Sequence, residues 1–450
     1  MTVLAGCGNG IAPGTSSQRA ELAPTDENIP HFGRSIAASG DGSTVVISTR
    51  FDEPPTGDTA PAAYVYERAG GTWSRSSLSI PNRGLWSGAF DVSITDDSST
   101  ILVGAARFNP PDGTGTGGVF VYERDGESWS RRGTITTPDS DDSNTFGSAV
   151  AVSGDGTTAL LCTPKSATVF DHGDGEWSRG TTLHIAAEVM SPRRGPAVAL
   201  SKDGKTALVG GYLYPSPVGP PYVRSRPVED NSPNESIEAA PRSGETADET
   251  TTVASRDTGS FPTASSSRYR GKAVVFERSR EEWSRQATFV PGANGRLMGA
   301  SVALTADGST ALVGVPFTDA YMFDSEYDPM NETTGTVLVF ERDGGSWSLE
   351  TEFTVDEPKA YTSLGESISV SADGSTAIVG NDIPTNTAEA EPVPAYVFAR
   401  DNEKWSRERS LTLDSDNDEG EYTSVALANG GETTFLSRSG HGYAGRVFVV

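Results

Sequence analysis

Apolar and polar residues alternate along the chain in short runs that come in a fixed order. Residues 301–305 (Ser-Val-Ala-Leu-Thr) alternate small with large at a period of two. A strand reads this way when one face packs and the other lies close to a neighbour. Asp307-Gly308 then predicts a hairpin turn, in which Gly supplies the positive φ. A second strand is predicted at 310–314 and a third at 336–342. Asp343-Gly344-Gly345 forms another tight turn and leads to a fourth strand that opens at Trp347-Ser348.

The same order runs through the whole chain. The position of Gly33 maps to Ala89, Gly147, Gly195, Gly299, Gly365 and Tyr422, at steps of 56, 58, 48, 104, 66 and 57 residues. The Asp-Gly turn recurs at Asp41-Gly42, Asp155-Gly156, Asp203-Gly204 and Asp373-Gly374. Units of four short strands at this spacing predict a β-propeller. Strand one occurs seven times, whereas the Trp-Ser opening of strand four occurs six times, at Trp73, Trp129, Trp177, Trp283, Trp347 and Trp405. The seventh unit stops at strand three, residues 447–450. Residues 18–24 stand before the first unit where 131–137 stand in the repeat, so they are expected to supply the missing fourth strand. That would remove the open edge of the ring. The prediction is an all-β, seven-bladed propeller of four-stranded blades over residues 18–450, preceded by a short segment, 1–17.

Phe32-Gly33 and Phe146-Gly147, with Gly314-Val315-Pro316 following strand two, carry a family signature. The chain resembles the FG-GAP repeat of integrin α-chain propellers in its short prokaryotic form, over nearly its whole length. The resemblance implies a ligand face formed by the connections after strands two and four. Integrin blades also bind calcium in a long Asp-rich loop between strands one and two. Here that loop is a bare Asp-Gly turn with one carboxylate, so those sites are expected to be absent.

The connections divide by face as the resemblance requires. Turns after strands one and three are short and uniform. Those between strands two and three vary: 48–61, 105–117, 163–165, 317–334 and 381–393. Variable loops on a rigid scaffold are where binding residues concentrate. The 104-residue step contains an insert at 213–270, between strands two and three of blade 4, rich in Ser, Pro, Glu and Thr. Such a composition buries too little surface to fold alone, so a disordered loop is expected.

Charge narrows the range of partners. Lys+Arg number 35 against 61 Asp+Glu, a net charge of −26. That field repels nucleic-acid backbones and anionic lipid heads. Six of the bases are Lys; high acid with little Lys suggests adaptation to high salt, the alternative being codon usage that favours Arg. Of two cysteines, Cys7 ends Leu4-Ala5-Gly6-Cys7, which resembles a lipoprotein lipobox behind a shortened signal, so lipidation at Cys7 would make it a membrane tether. Cys162 stands where other blades have Gly104, Gly210 or Gly314 and is expected to be a packed small residue.

Two acidic clusters suggest calcium. Asp414, Asp416 and Asp418 alternate as calcium ligands do, though Gly420 falls one place late for an EF-type loop. Asp139, Asp141, Asp142 and Asn144 form a similar group. Salt-adapted surface acid is the simpler reading of both. Asn234 and Asn331 begin glycosylation sequons. His31, His172, His184 and His441 show no metal-ligand spacing, and no nucleophile elbow or phosphate loop is present. Arg68, Arg124, Arg278, Arg342 and Arg400 each end strand three, and are expected to brace the blades against turn carboxylates such as Asp41. Asp91 is the one acid at a strand-one position otherwise Ser or Ala, so no carboxylate pair is evident there. The expected function is therefore non-enzymatic: a monomeric, lipid-anchored, extracellular surface propeller that needs no cofactor. Its variable face would bind an extracellular protein or glycan. A glycan-processing enzyme and a structural envelope protein are the alternatives.

Overall fold

The computed structural model describes residues 20–24, 29, 31–49, 58–81, 91–106, 108, 117–136, 146–163, 166–184, 196–212, 252–253, 271–290, 298–316, 335–355, 363–381, 394–412, 424–440 and 443–450. They form seven antiparallel sheets arranged as the blades of a propeller. Blade 1 comprises Ile36–Ala38, Thr44–Ser48, Thr59–Ala69 and Thr72–Pro81; blade 2, Asp91–Ile94, Thr100–Ala105, Gly118–Asp125 and Ser128–Ile135. Blade 3 comprises Val150–Val152, Thr158–Thr163, Ser166–Gly173 and Glu176–His184; blade 4, Ala197–Leu200, Thr206–Tyr212, Gly271–Ser279 and Glu282–Phe289. Blade 5 comprises Val302–Leu304, Thr310–Val315, Thr336–Asp343 and Ser346–Phe353; blade 6, Ser367–Val370, Thr376–Gly380, Ala395–Asp401 and Lys404–Leu411. Blade 7 supplies Val425–Ala428, Thr433–Gly440 and Tyr443–Val449.

The fourth strand of blade 7 is Ala20–Leu22, paired through Ala20–Val449, Glu21–Phe448 and Leu22–Val447. Its neighbours treat it as a strand four. The Tyr66 hydroxyl donates to the Ala23 carbonyl at 2.8 Å, as the Tyr122 hydroxyl donates to Ser79 at the end of blade 1's own fourth strand. The ring is thus closed by the two ends of the chain, as expected. Within the 213–270 insert, Thr252–Val253 pairs in parallel with Thr288 and Phe289 on the outer edge of blade 4; the rest lies outside the described residues.

The hydrophobic core lies between the blades. Seven apolar clusters occupy the seven junctions, each built from the facing sides of two blades. The Trp that opens strand four in blades 1 to 6 reaches toward the preceding blade: Trp347 meets Phe289 edge-on at 5.8 Å, Trp405 meets Phe353 at 5.2 Å, and Trp73 meets Phe435 at 6.2 Å. Edge-to-face pairs of this kind add about 0.5–1.5 kcal/mol beyond the area they bury.

The Phe-Gly pair acts at the same junctions. Phe32 and Phe146 are buried, and Gly147, at φ +85°, lies so close to blade 2 that a Cβ would stand 2.6 Å from the Gly118 carbonyl. The strand-two glycine reciprocates: a Cβ on Gly104 would stand 2.2 Å from the Gly147 carbonyl, and one on Gly314 would stand 2.1 Å from Gly365. Glycine is needed here because backbone packs on backbone.

The strand-three arginines do brace the blades, but not against turn carboxylates. Arg124 pairs with Glu67 at 2.6 Å and Arg342 with Glu277 at 2.8 Å; Arg278 reaches Asp171 and Arg400 reaches Glu341. Each partner is the strand-three acid of the preceding blade. The rotation from blade to blade carries the Arg of one over the acid of the last. The turn Asp is meanwhile consumed locally: the Ser39 hydroxyl and the Ser43 N–H and hydroxyl all donate to Asp41 Oδ1, at 2.7–2.9 Å.

Candidate binding site at the mouth of the central channel

The seven first strands line a central cavity of about 370 Å³. Two residues after the Phe-Gly glycine or its counterpart, each blade places a small polar or small apolar residue at this wall: Ser35, Asp91, Ala149, Ala197, Ser301, Ser367 and Ser424. The next position is β-branched in all seven blades, and it turns its side chain into the junction with the preceding blade, as Val92 does against blade 1 and Val150 against blade 2. Alternation of strand side chains therefore builds a narrow wall with small groups on its seams.

Side chains hold the seams between blades 1 and 2, 2 and 3, and 6 and 7. The inner edge of each first strand has no further strand to pair with, so its inward N–H groups need other acceptors. Val92 N–H donates to Ser35 Oγ at 3.3 Å, Val150 N–H to Asp91 Oδ2 at 2.9 Å, and Val425 N–H to Ser367 Oγ at 3.1 Å. Deeper in the channel, Val152 N–H donates to Ser93 Oγ and Leu427 N–H to Ser369 Oγ, both at 3.0 Å.

Asp91 is the charged member of this series. Its Oδ1 accepts the Ser35 hydroxyl at 2.6 Å and its own neighbour's N–H, from Val92, at 3.0 Å. Burial pushes its pKa up, and the bonds from Ser35, Val150 and Val92 and the nearby Arg34 only partly offset that. Arg34 and Glu366 line the same cavity, each one residue after a Phe-Gly-type glycine. Among the described residues the mouth therefore combines one guanidinium, two carboxylates and several hydroxyls.

The opposite end is drawn together. The turns between strands one and two exchange backbone hydrogen bonds around the ring: Gly40 N–H to Asp96 carbonyl, Asp96 to Gly154, Asp155 to Lys202, Lys202 to Ala306, and Ala306 to Ala372, at 2.8–3.1 Å. Asn429 N–H donates to Gly40 at 3.0 Å and joins blade 7 to blade 1. Arg34, Ser148 and Glu366 precede their strands and so stand at the other end, on the face of the variable connections.

Asp91 is where strand-one reading puts it, but it shares the cavity with a second carboxylate. Glu366 stands one residue before its strand, so a search of strand one passes it over. The register of the repeat is the signal that would have found both Glu366 and Arg34. Cys162 is fully buried in the core between blades 3 and 4, where burial holds its thiol protonated. His31 is buried and His172 stacks on Trp177 at 4.7 Å. Among the described residues no three His, Cys, Asp or Glu side chains group as a metal site. Cys7, Asn234, Asn331, Asp414, Asp416, Asp418, the 139–144 cluster, His441 and most of the variable connections lie outside the described residues.

No protein-family model matches the chain, and no curated protein matches it in sequence. Solved structures match it in fold. Kuenenia stuttgartiensis hydrazine synthase superposes with a TM-score of 0.52 at 14% identity, over 98% of this chain and 99% of that one. The β-propeller domain of Myceliophteria thermophila Cps50 (Swd1) superposes with a TM-score of 0.52 at 10% identity, over 96% of this chain and 99% of that domain. At such identities the likeness is one of fold alone: the chain is a seven-bladed β-propeller.

Proposed function

We propose that this chain is a non-enzymatic binding propeller of the FG-GAP type, held at the cell surface through lipid on Cys7. Its variable face takes an extracellular protein or glycan. The observation that carries this reading is the polarity of the ring. One end of the channel is drawn together by short, mutually bonded turns, while the other opens among the variable connections with Arg34, Asp91 and Glu366 in its wall. The close packing of Gly147 on the backbone of the preceding blade, and of Gly33 on Ser437 of blade 7, supports the FG-GAP assignment.

Asp91 behaves as a structural acceptor in this reading, because both its oxygens are engaged by Ser35, Val92 and Val150. The test is to screen the purified protein on glycan and extracellular-protein arrays, beside Arg34→Ala and Glu366→Gln variants. Retention of a defined glycan or protein, weakened by either variant, is the expected result. Binding to nothing on either array overturns the reading.

One observation favours an enzyme instead: Asp91, with its raised pKa, and Glu366 share a cavity, as the acid and base of a glycosidase would. Release of nitrophenol from a panel of nitrophenyl glycosides, abolished by Asp91→Asn and by Glu366→Gln, would replace the binding reading with that one.

A further inference from the structure

Strand three ends on an acid followed by a base in blades 1 to 5: Glu67-Arg68, Glu123-Arg124, Asp171-His172, Glu277-Arg278 and Glu341-Arg342. Of these, blade 3 carries histidine where the others carry arginine, and His172 keeps the arginine's place. Its N–H donates to the Thr157 carbonyl at 2.8 Å, as Arg124 donates to Ser99, Arg278 to Lys205 and Arg342 to Ser309. It stands opposite Trp177 in the register, as Arg124 stands opposite Trp129. The imidazole lies on the Trp177 ring at 4.7 Å and 16°, where Arg124 and Arg400 lie over Trp129 and Trp405 at 5.7 and 5.9 Å. Trp177 packs on the apolar cluster between blades 2 and 3, which puts the imidazole at that junction. The acid that an arginine would hold there is Glu123. Its side chain is 27% exposed, against 22–29% for Glu67, Glu277 and Glu341, so it sits at the same depth as the acids that the next blade does hold. Glu123 is bound instead by Arg132 of its own blade, at 2.9 Å. His172 Nε2 is buried and has no hydrogen-bond partner among the described residues.

We propose that His172 is a proton-operated brace between blades 2 and 3: uncharged, it only stacks on Trp177, and on taking a proton from solvent it assumes the arginine's role and draws Glu123 across the junction. Histidine is the side chain that changes charge between pH 5 and 8, whereas arginine stays charged throughout. The other junctions braced by arginine therefore keep their ion pairs over that range, and this one gains its pair as pH falls. The contribution is present below the titration and is lost as pH rises through it. The remaining charged groups around the imidazole are already committed or stand apart. Asp171, on its own strand, is held by Arg278 of blade 4, and Asp155, in the turn below, accepts from Ser153 and Thr157. Glu176 and Arg179 stand on the facing strand four, opposite Gly173 and Phe170. On blade 2, Arg124 turns away to Glu67, which leaves Arg132 as the one competitor for Glu123 among the described residues.

The experiment is urea unfolding of the full chain at one fixed, low ionic strength, at the two ends of histidine's range, about pH 8 and about pH 5.5. It compares the parent with His172→Gln, each with and without Glu123→Gln. The ratio of folding constants, parent over His172→Gln, should rise about threefold from the higher pH to the lower, the size of a partly exposed ion pair. With Glu123→Gln in both proteins the rise should largely vanish. Titrations elsewhere, at Asp91 and the other histidines, are common to both members of each ratio and cancel. His172→Arg should exceed the parent by a similar factor at the higher pH and match it at the lower. A merely structural His172 gives the same ratio at both pH values, and that result overturns the proposal. A rise of equal size without the Glu123 carboxylate overturns it too. If His172→Gln fails to fold, the comparison of the parent with His172→Arg carries the test, and a gap between them that does not close as pH falls overturns the brace.

Discussion

The Ser437 hydroxyl donates to the carbonyl of Gly33 at 2.6 Å, joining residues 404 positions apart at the junction of blades 7 and 1. Gly33 holds φ at +88°, and a Cβ there would stand 2.9 Å from Ser437 Cβ. Gly33→Ala therefore combines a left-handed backbone, worth about 1–2 kcal/mol, with a clash at the closing seam. A total loss of about 3 kcal/mol is expected on denaturant unfolding. Gly70, at φ +58° with nothing within 4 Å of its Cβ direction, is the control. Gly70→Ala should cost only the backbone part, about 1–2 kcal/mol. Equal losses at the two sites would contradict the close packing described at Gly33.

Closure depends equally on Ala20–Leu22. Leu22 is buried between blades 7 and 1, and its strand covers the outer edge of blade 7. Removing residues 1–26 should lower the Tm sharply and expose an unpaired edge. Removing residues 1–15 should leave it unchanged, since the paired strand survives. Matching Tm values for the two truncations would show that the strand contributes little.

Asp91 gives a prediction in pH. Its folded pKa lies above the unfolded value of about 3.9, so the native state holds the extra proton. Stability from this group is therefore greatest below that value and falls as pH rises through the folded pKa. Asp91→Ser keeps an acceptor for Val150 N–H, as Ser367 does for Val425, but removes the buried charge. Near pH 4 the variant should be about 1 kcal/mol less stable, through loss of the bond from Ser35. The deficit should shrink or reverse by pH 7. A difference in Tm that stays constant from pH 4 to 7 would contradict this account. Asp373 works in the opposite sense. The Ser371 hydroxyl, against slight burial, and the Ser375 donors hold it below 3.8, so its contribution is lost as pH falls through that lowered range.

Much of this was legible in the sequence because it repeats. Period-two strands, Asp-Gly turns and Trp-Ser openings recur in register, and six Trp-Ser openings of strand four against seven first strands pointed to a borrowed fourth strand. What depends on the rotation between blades was not legible. The partner of Arg342 is Glu277, 65 residues away, and no local pattern in either segment names the other. Arg34 and Glu366 were hidden for a different reason. They occupy the one position near the channel where the repeat imposes no residue type, and only the closed ring brings them to one cavity.

Salt should stabilise the fold. A net charge of −26 repels itself, and added ions screen it. Salt also weakens the Arg–acid pairs between blades, but those are partly exposed, and such pairs contribute about 0–1 kcal/mol each. Screening of the net charge should win, with the Tm rising steeply from low salt to molar KCl. A Tm that is flat or falls across that range would remove the case for salt adaptation and leave codon usage to explain the scarcity of Lys.

The insert in blade 4 gives the last prediction. Strand Thr206–Tyr212 pairs along its full length with residues 271–277 of Gly271–Ser279, and Tyr212 stands opposite Gly271 in the register. The chain thus leaves and re-enters the blade at two directly facing residues, a gap that a short turn can bridge. Replacing 215–268 with a Gly-Ser turn removes a long loop whose closure costs about 0.6 kcal/mol per doubling of length. The described structure lost in the exchange is the two-residue pairing of Thr252 and Val253 with Thr288 and Phe289, on an edge that strand four already forms. The two changes are small and opposite in sign. The shortened protein should unfold cooperatively with a Tm within a few degrees of the parent. If it loses the fold, Thr252–Val253 is the visible end of a larger ordered contact, and the outer edge of blade 4 becomes part of the propeller's working surface.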